Sequence, residues 1–279
     1  MGATCSSEAS GPCAPCRGAD IDTYPETVGD KRPLHTYESG ATFDGEWQEE
    51  TRHGRGTQVW PDGATYEGQW RDDQACGSGR FVHTDGDIYE GQWHADKAHG
   101  QGVYNHLDGS RYEGEWFEDK QHGAGLECLA DGTRYQGEYK DSLKDGEGTC
   151  TFADGSVYRG TFRHNNIHGN GVYEWSDGRK YEGKWERNKM QGRGIFVWKD
   201  GRSYDGEYKS DLKDGSGVLS WPDGRKYDGQ WKDGKMHGTG TYTNQDGESN
   251  IGQWNKGKRT KWLKTKSLGP STRADSAPL

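Results

Sequence analysis

Along most of the chain, side chains alternate between two characters over short stretches. In Tyr66-Glu67-Gly68-Gln69-Trp70 the odd places are polar and the even ones are ring, gap, ring. An extended strand sends successive side chains to opposite faces. The pattern therefore predicts a strand whose one face carries Tyr66, Gly68 and Trp70 and whose other face carries Glu67 and Gln69. Glycine leaves space on the aromatic face where a ring can lie against backbone. A second strand is predicted near Gly77-Ser78-Gly79, running through Phe81 and Val82. The join between the two often carries Asp or Asn (Asp73, Asp96, Asp119, Asn165, Asn188), which suits a tight turn. An Asp-Gly pair, twice within Pro-Asp-Gly at Pro61 and Pro222, closes the unit with another turn. Each unit reads as a two-stranded hairpin.

The unit recurs every 23 residues with no insertion, through Phe43, Tyr66, Tyr89, Tyr112, Tyr135, Tyr158, Tyr181, Tyr204 and Tyr227, before Asn250 replaces the ring. Gly follows each ring by two places, and Trp, Tyr or Phe by four. One hairpin cannot bury its rings alone, so the units must stack, each strand adding about 4.8 Å. Some 19 strands would make a sheet on the order of 90 Å long. A helical reading fails, because paired glycines every 23 residues would break any helix.

Composition changes one point. Leu, Ile, Val and Phe total 29 of 279 residues, and the net charge is −9. Such values ordinarily indicate disorder. Yet the chain holds 12 Trp, 15 Tyr and 45 Gly. An aliphatic core is excluded, and the rings and glycines of the repeat take its place.

Tyr-Glu-Gly-x-Trp, His-Gly-x-Gly and Asp-Gly-x-x-Tyr recur almost unaltered, as between Tyr89 and Tyr112. The pattern resembles the MORN (membrane occupation and recognition nexus) repeat family over residues 37–254. The resemblance implies an all-β fold: an elongated single-layer antiparallel sheet, a solenoid of 23-residue hairpins between disordered tails. It also implies a scaffold or interaction role. Members of the family occur where membrane meets cytoskeleton, in cilia and flagella, and attached to kinase or methyltransferase domains. No such catalytic domain fits in the remainder of this chain.

The ends differ from the body. Residues 1–36, rich in Ser, Pro, Gly and Asp from residue 7, read as a flexible tether, residues 37–254 as the rod, and residues 255–279 as a flexible basic tail. The chain opens Met1-Gly2-Ala3-Thr4-Cys5-Ser6, an N-myristoylation pattern at Gly2 with Cys5 placed for palmitoylation. One myristoyl chain binds membrane marginally, and two acyl chains anchor it. Cys13 and Cys16 are further acylation candidates; as a zinc site they would supply two ligands where four are usual. No stretch approaches the 18 apolar residues of a membrane-spanning helix. No secretory leader is evident, so the cytosolic face of a membrane is expected. The last 29 residues carry +6, with Lys256, Lys258, Arg259, Lys261, Lys264 and Lys266 around Trp262 and Leu263. They suit anionic lipid or an acidic partner, or equally a charged cap against strand pairing.

Within the rod, five histidines (His53, His99, His122, His168, His237) precede Gly-x-Gly. Stacked units would set them about 9–10 Å apart, too far to share an ion, so a turn role is expected and no metal. An acidic ladder (Asp44, Glu67, Glu90, Glu113, Glu182, Asp205, Asp228) is interrupted by Gln136 and Arg159. It reads as a solvated face or as a docking strip for a basic partner. The acidic body opposes nucleic acid. No catalytic grouping or nucleotide loop stands apart from the repeat, so neither enzyme activity nor a cofactor is expected. The sequence thus points to a membrane-tethered scaffold for protein partners, dimeric through an open sheet edge. The alternatives are a phosphoinositide-binding protein and an axonemal, radial-spoke-like subunit.

Overall fold

A computed structural model describes residues 29–266. Gly2, Cys5, Cys13, Cys16, most of the expected tether and residues 267–279 lie outside the described residues. The described chain forms one open antiparallel sheet of 22 strands. From Thr42–Gln48 to Lys258–Lys266, each strand pairs with the next in sequence. Strands of seven and nine residues alternate, as in Thr65–Arg71 and Gln74–Val82. The nine-residue strand thus starts three residues before the expected place.

Two turn types make this meander. After Arg71, Asp72 and Asp73 both adopt positive φ, 48° and 67°. Two successive left-handed residues give the turn whose twist matches a two-residue hairpin, and Asp and Asn tolerate that region best. Asp73 also ties units together: its Oδ1 accepts the Arg52 N–H of the preceding unit at 2.9 Å. Asp96 accepts from Ala75, and Asn188 from Ile167, in the same way. The other turn closes by Trp60 N–H to Ala64 O (2.9 Å), with Gly63 at φ 93°.

The first Gly of each Gly-x-Gly has its own task. Between Gly68 and Gln69 the register slips, and Gly77 on the opposite strand takes φ 59° in a bulge. Gln69 Oε1 accepts the Ser78 N–H at 2.7 Å and pins the bulge. Gln92 and Glu115 do the same for Gln101 and Ala124. This explains the polar residue between Gly and Trp.

The remaining glycines form an unbroken row across the sheet. Gly68 pairs with Gly56 and Gly79, Gly79 with Gly91, and so on to Gly252. The Tyr66 ring lies on this row and is 1% exposed. A Cβ on Gly68 would stand 2.5 Å from Tyr66 Oη and 2.6 Å from the Gly79 Cα, so no larger residue fits. The core is this layer of rings on backbone.

Both ends depart from the expected boundaries. Asp30–Lys31 and His35–Thr36 add to the outer side of Thr42–Gln48. At the other end, Lys258–Lys266 is a strand paired with Ser249–Asn255, where a flexible tail was expected from residue 255. It lacks the glycine pair, and Trp262 stands opposite Gly252 instead. Its hydrogen bonds to the preceding strand need no particular side chain, which is why a lysine-rich segment can close the sheet.

Candidate functional site

The aromatic face is built in two layers. The inner layer is a chain of edge-to-face contacts. Tyr66 meets Trp70 of its own strand at 5.0 Å and Trp93 of the next unit at 5.1 Å. The step repeats through Tyr135 with Tyr139 and Phe162, to Tyr227 with Trp231 and Trp254. Ring quadrupoles favour this geometry. Many of the polar tips are satisfied within the layer, as where Tyr66 Oη donates to Gln69 O (3.0 Å) and Trp70 Nε1 to Gly56 O (3.0 Å), whereas Trp47 Nε1, Tyr139 Oη and Tyr208 Oη are buried without a hydrogen-bond partner. Burial raises the hydroxyl pKa of Tyr66, Tyr112, Tyr181 and their equivalents well above the usual value.

The outer layer was not singled out from sequence. On the nine-residue strands, Phe81, Tyr104, Tyr173, Phe196 and Tyr242 stand opposite the inner tyrosines in register. Two residues further on come Trp60, His83, His106, Phe152, Trp175, Trp198 and Trp221. Together they form two zigzag ribbons. One runs Trp60, Phe81, His83, Tyr104, His106 with ring centroids 4.5–5.7 Å apart. The other runs Phe152, Tyr173, Trp175, Phe196, Trp198 with centroids 4.5–5.6 Å apart. Most of these rings are half-buried, open on one side. The signal was available as rings 15 and 17 places after each starting aromatic. It is masked because Glu127, Leu129 and Cys150 break it in mid-chain.

Cations enter this face beside the inner rings. The Arg52 guanidinium lies 4.1 Å from the Trp70 ring and pairs with Asp73 at 3.1 Å. Lys144 Nζ lies 4.8 Å from the Tyr135 ring and 2.7 Å from Glu127 Oε2. Lys213 Nζ faces the rings of Trp198, Tyr204 and Trp231 at 4.6, 5.0 and 5.1 Å. Burial, followed by the nearby Arg202 charge, brings its pKa down to about 8. Above it, Arg179, Arg202 and Arg225 lie 5.1–5.4 Å from Trp175, Trp198 and Trp221, and Asp177, Asp200 and Asp223 hold them at 2.8 Å.

The acidic ladder lies on the opposite face, exposed except at half-buried Asp205. Strand pairing interleaves it with other residues. Arg80 stands between Glu67 and Glu90, Val103 between Glu90 and Glu113, and Ile195 between Glu182 and Asp205. Four of its acids are engaged: Glu90 with Arg80 (2.8 Å), Glu113 with Arg111 (2.7 Å), Glu182 with Lys180 (3.6 Å) and Asp205 with Arg193 (3.2 Å). Asp44, Glu67 and Asp228 are exposed on the same face. The face is a mixed strip rather than a run of carboxylates.

The five histidines sit at the bulge, on the face opposite Trp. At the equivalent place Asp145, Gln191 and Asp214 accept the first backbone N–H of the next unit's turn, at His164, Ser210 and Asp233. The turn support is thus made by these three residues, whereas the Nδ1 atoms of His99 and His122 at the same place are buried without a hydrogen-bond partner. Among the described residues no group of three metal-ligating side chains converges.

At the far end, Lys256 occupies the turn at φ 50°, and Lys258, Arg259 and Lys261 are exposed on the terminal strand, with Arg259 4.1 Å from the Trp262 ring. Lys264 and Lys266 belong to the same strand by backbone pairing. Trp262 and Leu263 are 39% and 47% exposed.

A family model described as MORN repeat matches nine consecutive segments, residues 43–65, 66–88, 89–111, 112–134, 135–157, 158–178, 181–201, 204–224 and 227–249. A search of curated proteins finds no match. Among solved structures, the TCP10 domain of Danio rerio CPAP in complex with a peptide of Danio rerio STIL is similar at 14% identity and a TM-score of 0.44, with 83% of this chain and 98% of that chain covered. The SAS-4 (dCPAP) TCP domain of Drosophila melanogaster, in complex with a proline-rich motif of Ana2, is similar at 15% identity and a TM-score of 0.35, with 72% and 99% covered.

Proposed function

The chain belongs to the MORN repeat family, and from that premise we propose that it is a non-enzymatic scaffold, acylated at Gly2 and Cys5, that holds protein partners at the cytosolic face of a membrane. One observation carries the docking part of this reading. The outer ribbons leave half-buried rings on a rigid sheet, from Phe152 to Trp198 and from Trp60 to His106. Trp, Tyr and Arg supply most binding energy at protein interfaces because they offer large, stiff, amphipathic area. Side chains that recur in every unit are spent on packing and turns. The variable outer layer is what remains for partners.

The tethering part rests on the terminal pattern Met1-Gly2-Ala3-Thr4-Cys5-Ser6. The test is fractionation of the intact protein. Replacing Gly2 with Ala is expected to move it from the membrane to the soluble fraction, because Cys5 acylation alone would leave one anchor. An unchanged distribution would refute the tether.

A second reading has its own support. The terminal turn and strand present Lys256, Lys258, Arg259 and Lys261 beside exposed Trp262 and Leu263, a combination suited to anionic lipid at about 1 kcal/mol per base. Because this segment is a strand, truncation would damage the sheet. Lys258→Gln with Lys261→Gln in unacylated protein, measured on vesicles containing phosphatidylserine, is the appropriate test, and loss of binding is expected. The same charges act against the dimer expected through this edge, since an antiparallel pairing of two such strands would set cations opposite cations.

A further inference from the structure

Lys144 and Lys213 occupy the same place in units three repeats apart, but the repeat places Leu129, Thr133 and Phe162 where the second has Trp198, Arg202 and Trp231, and only the first has a carboxylate beside its ammonium. Lys144 has Glu127 at 2.7 Å. The residue three repeats on from Glu127 is Phe196, so Lys213 has an aromatic ring where Lys144 has a carboxylate. Among the described residues no ion pair involves Lys213, and Trp198, Tyr204 and Trp231 surround its Nζ at 4.6–5.1 Å. The nearest other charges are spoken for: Arg202 is held by Asp200 at 2.8 Å, and Tyr208, opposite Lys213 in register, is a buried neutral phenol. A half-buried ammonium among rings, without its carboxylate, is an incomplete pair.

The rings above it have a regular spacing. Trp175, Trp198 and Trp221 recur at one position of three successive units. Phe196 lies between the first two, 5.3 Å from Trp175 and 4.6 Å from Trp198. Trp175 and Trp198 are therefore less than about 10 Å apart, consistent with two strand spacings of about 4.8 Å, and the same two-strand step leads on to Trp221. A polyproline II helix repeats every three residues, about 9.3 Å. A segment of that conformation running across the strands would set every third residue on a Trp. Its prolines have no N–H to satisfy, so they suit a surface of rings.

The geometry points to a docking site for an extended, proline-rich segment of a partner protein, whose Trp175–Trp198–Trp221 ladder takes the polyproline II backbone and whose Lys213 takes an acidic side chain. The inference deepens the scaffold reading and rests on it. It specifies both a conformation and a charge. Arg179, Arg202 and Arg225 widen the aromatic platforms, and their own aspartates neutralise them. Lys213 is thus the specificity-determining cation of the site.

The test uses the full chain and two synthetic peptides, four repeats of Pro-Pro-Glu and four of Pro-Pro-Gln, each labelled for fluorescence anisotropy. The Glu peptide is expected to bind about tenfold or more tightly than the Gln peptide, as for a charge-assisted contact. Lys213→Met should remove that preference while leaving residual binding of both. Met occupies this place in the adjacent units, at Met190 and Met236, and circular dichroism would verify the sheet. Trp198→Leu should weaken both peptides by a similar factor. Equal binding of Glu and Gln peptides by the unaltered chain would overturn the inference, as would a preference that survives Lys213→Met. Binding of neither peptide would also overturn it. Those outcomes leave the scaffold reading standing if the Gly2-dependent membrane fractionation holds, so the two failures are distinguishable.

Discussion

Replacing Lys213 with Met should stabilise the protein. In the folded chain the ammonium is held among Trp198, Tyr204 and Trp231, and its pKa falls from 10.5 to about 8. A group that binds its proton less tightly when folded costs stability wherever the unfolded chain keeps that proton. The penalty is full below about pH 8 and disappears as pH rises towards 10.5. At about 1.4 kcal/mol per unit the shift sets an upper limit of about 3 kcal/mol. Lys213 is only partly buried, and solvent screening reduces this to about 1–2 kcal/mol. Urea unfolding followed by Trp fluorescence, at pH 7 and pH 9.5, is the assay. The unaltered chain should gain more than half of the penalty back between the two pH values. Lys213→Met should begin higher at pH 7 and show no such gain. Repeat arrays unfold in blocks, so hydrogen exchange in Leu212–Ser220 localises the effect. A variant no more stable at pH 7, or one that keeps the pH-dependent gain, would refute the reasoning.

Other consequences concern the layers beneath. Gly137→Ala would place a Cβ 2.5 Å from Tyr135 Oη and 2.6 Å from the Gly148 Cα, so it should lower stability by about 1–3 kcal/mol in urea unfolding; a neutral effect would mean that the ring does not rest on the glycine row. Burial raises the pKa of Tyr66, Tyr135, Tyr158 and Tyr208. The stability this represents is complete below pH 10 and is lost as pH rises above it. Absorbance at 295 nm should show these phenols ionising only together with loss of the sheet by circular dichroism; ionisation near pH 10 with the sheet intact would contradict their burial. Sedimentation at micromolar concentration should report a monomer, because the terminal strand is lined by cations; a dimer that persists in low salt would show that another surface pairs.

Much of this was legible in the sequence because the repeat is strict. The 23-residue period carries Tyr, Gly and Trp on one strand face, and the Asp-Gly and Asp/Asn positions are the turns. What escaped is what crosses between units. Asp73 reads as a turn residue, but its carboxylate holds Arg52 of the unit before. The acidic ladder reads as interrupted only at Gln136 and Arg159, but pairing also places Arg80, Val103 and Ile195 between its members. Lys258–Lys266 reads as a tail because it has neither glycine pair nor closing Asp-Gly. Such contacts depend on register, and register is set by the bulge at Gly77 and its equivalents, which is invisible to a count of hydrophobic positions.

In a stack of near-identical units, recurring residues cannot distinguish one part of the surface from another. Gly68, Tyr66 and Trp70 have counterparts all along the rod and give the same contacts there. Specific recognition must come from departures from the repeat. Besides Arg52 with Asp73, the aromatic face has two such departures: Glu127 with Lys144, which closes the ribbon in mid-chain, and Lys213 under Trp198, where the same cation is left open. Removing the carboxylate from the first is the sharpest test of that logic. Glu127→Phe should leave Lys144 without a carboxylate, as Lys213 is, reducing stability by a few kcal/mol because the partner of a half-buried charge is removed. Lys144→Met in the same chain should restore most of the loss. If the double variant is no better than Glu127→Phe alone, the cost came from packing at residue 127, and the open cation at Lys213 would not be the feature that sets this part of the sheet apart.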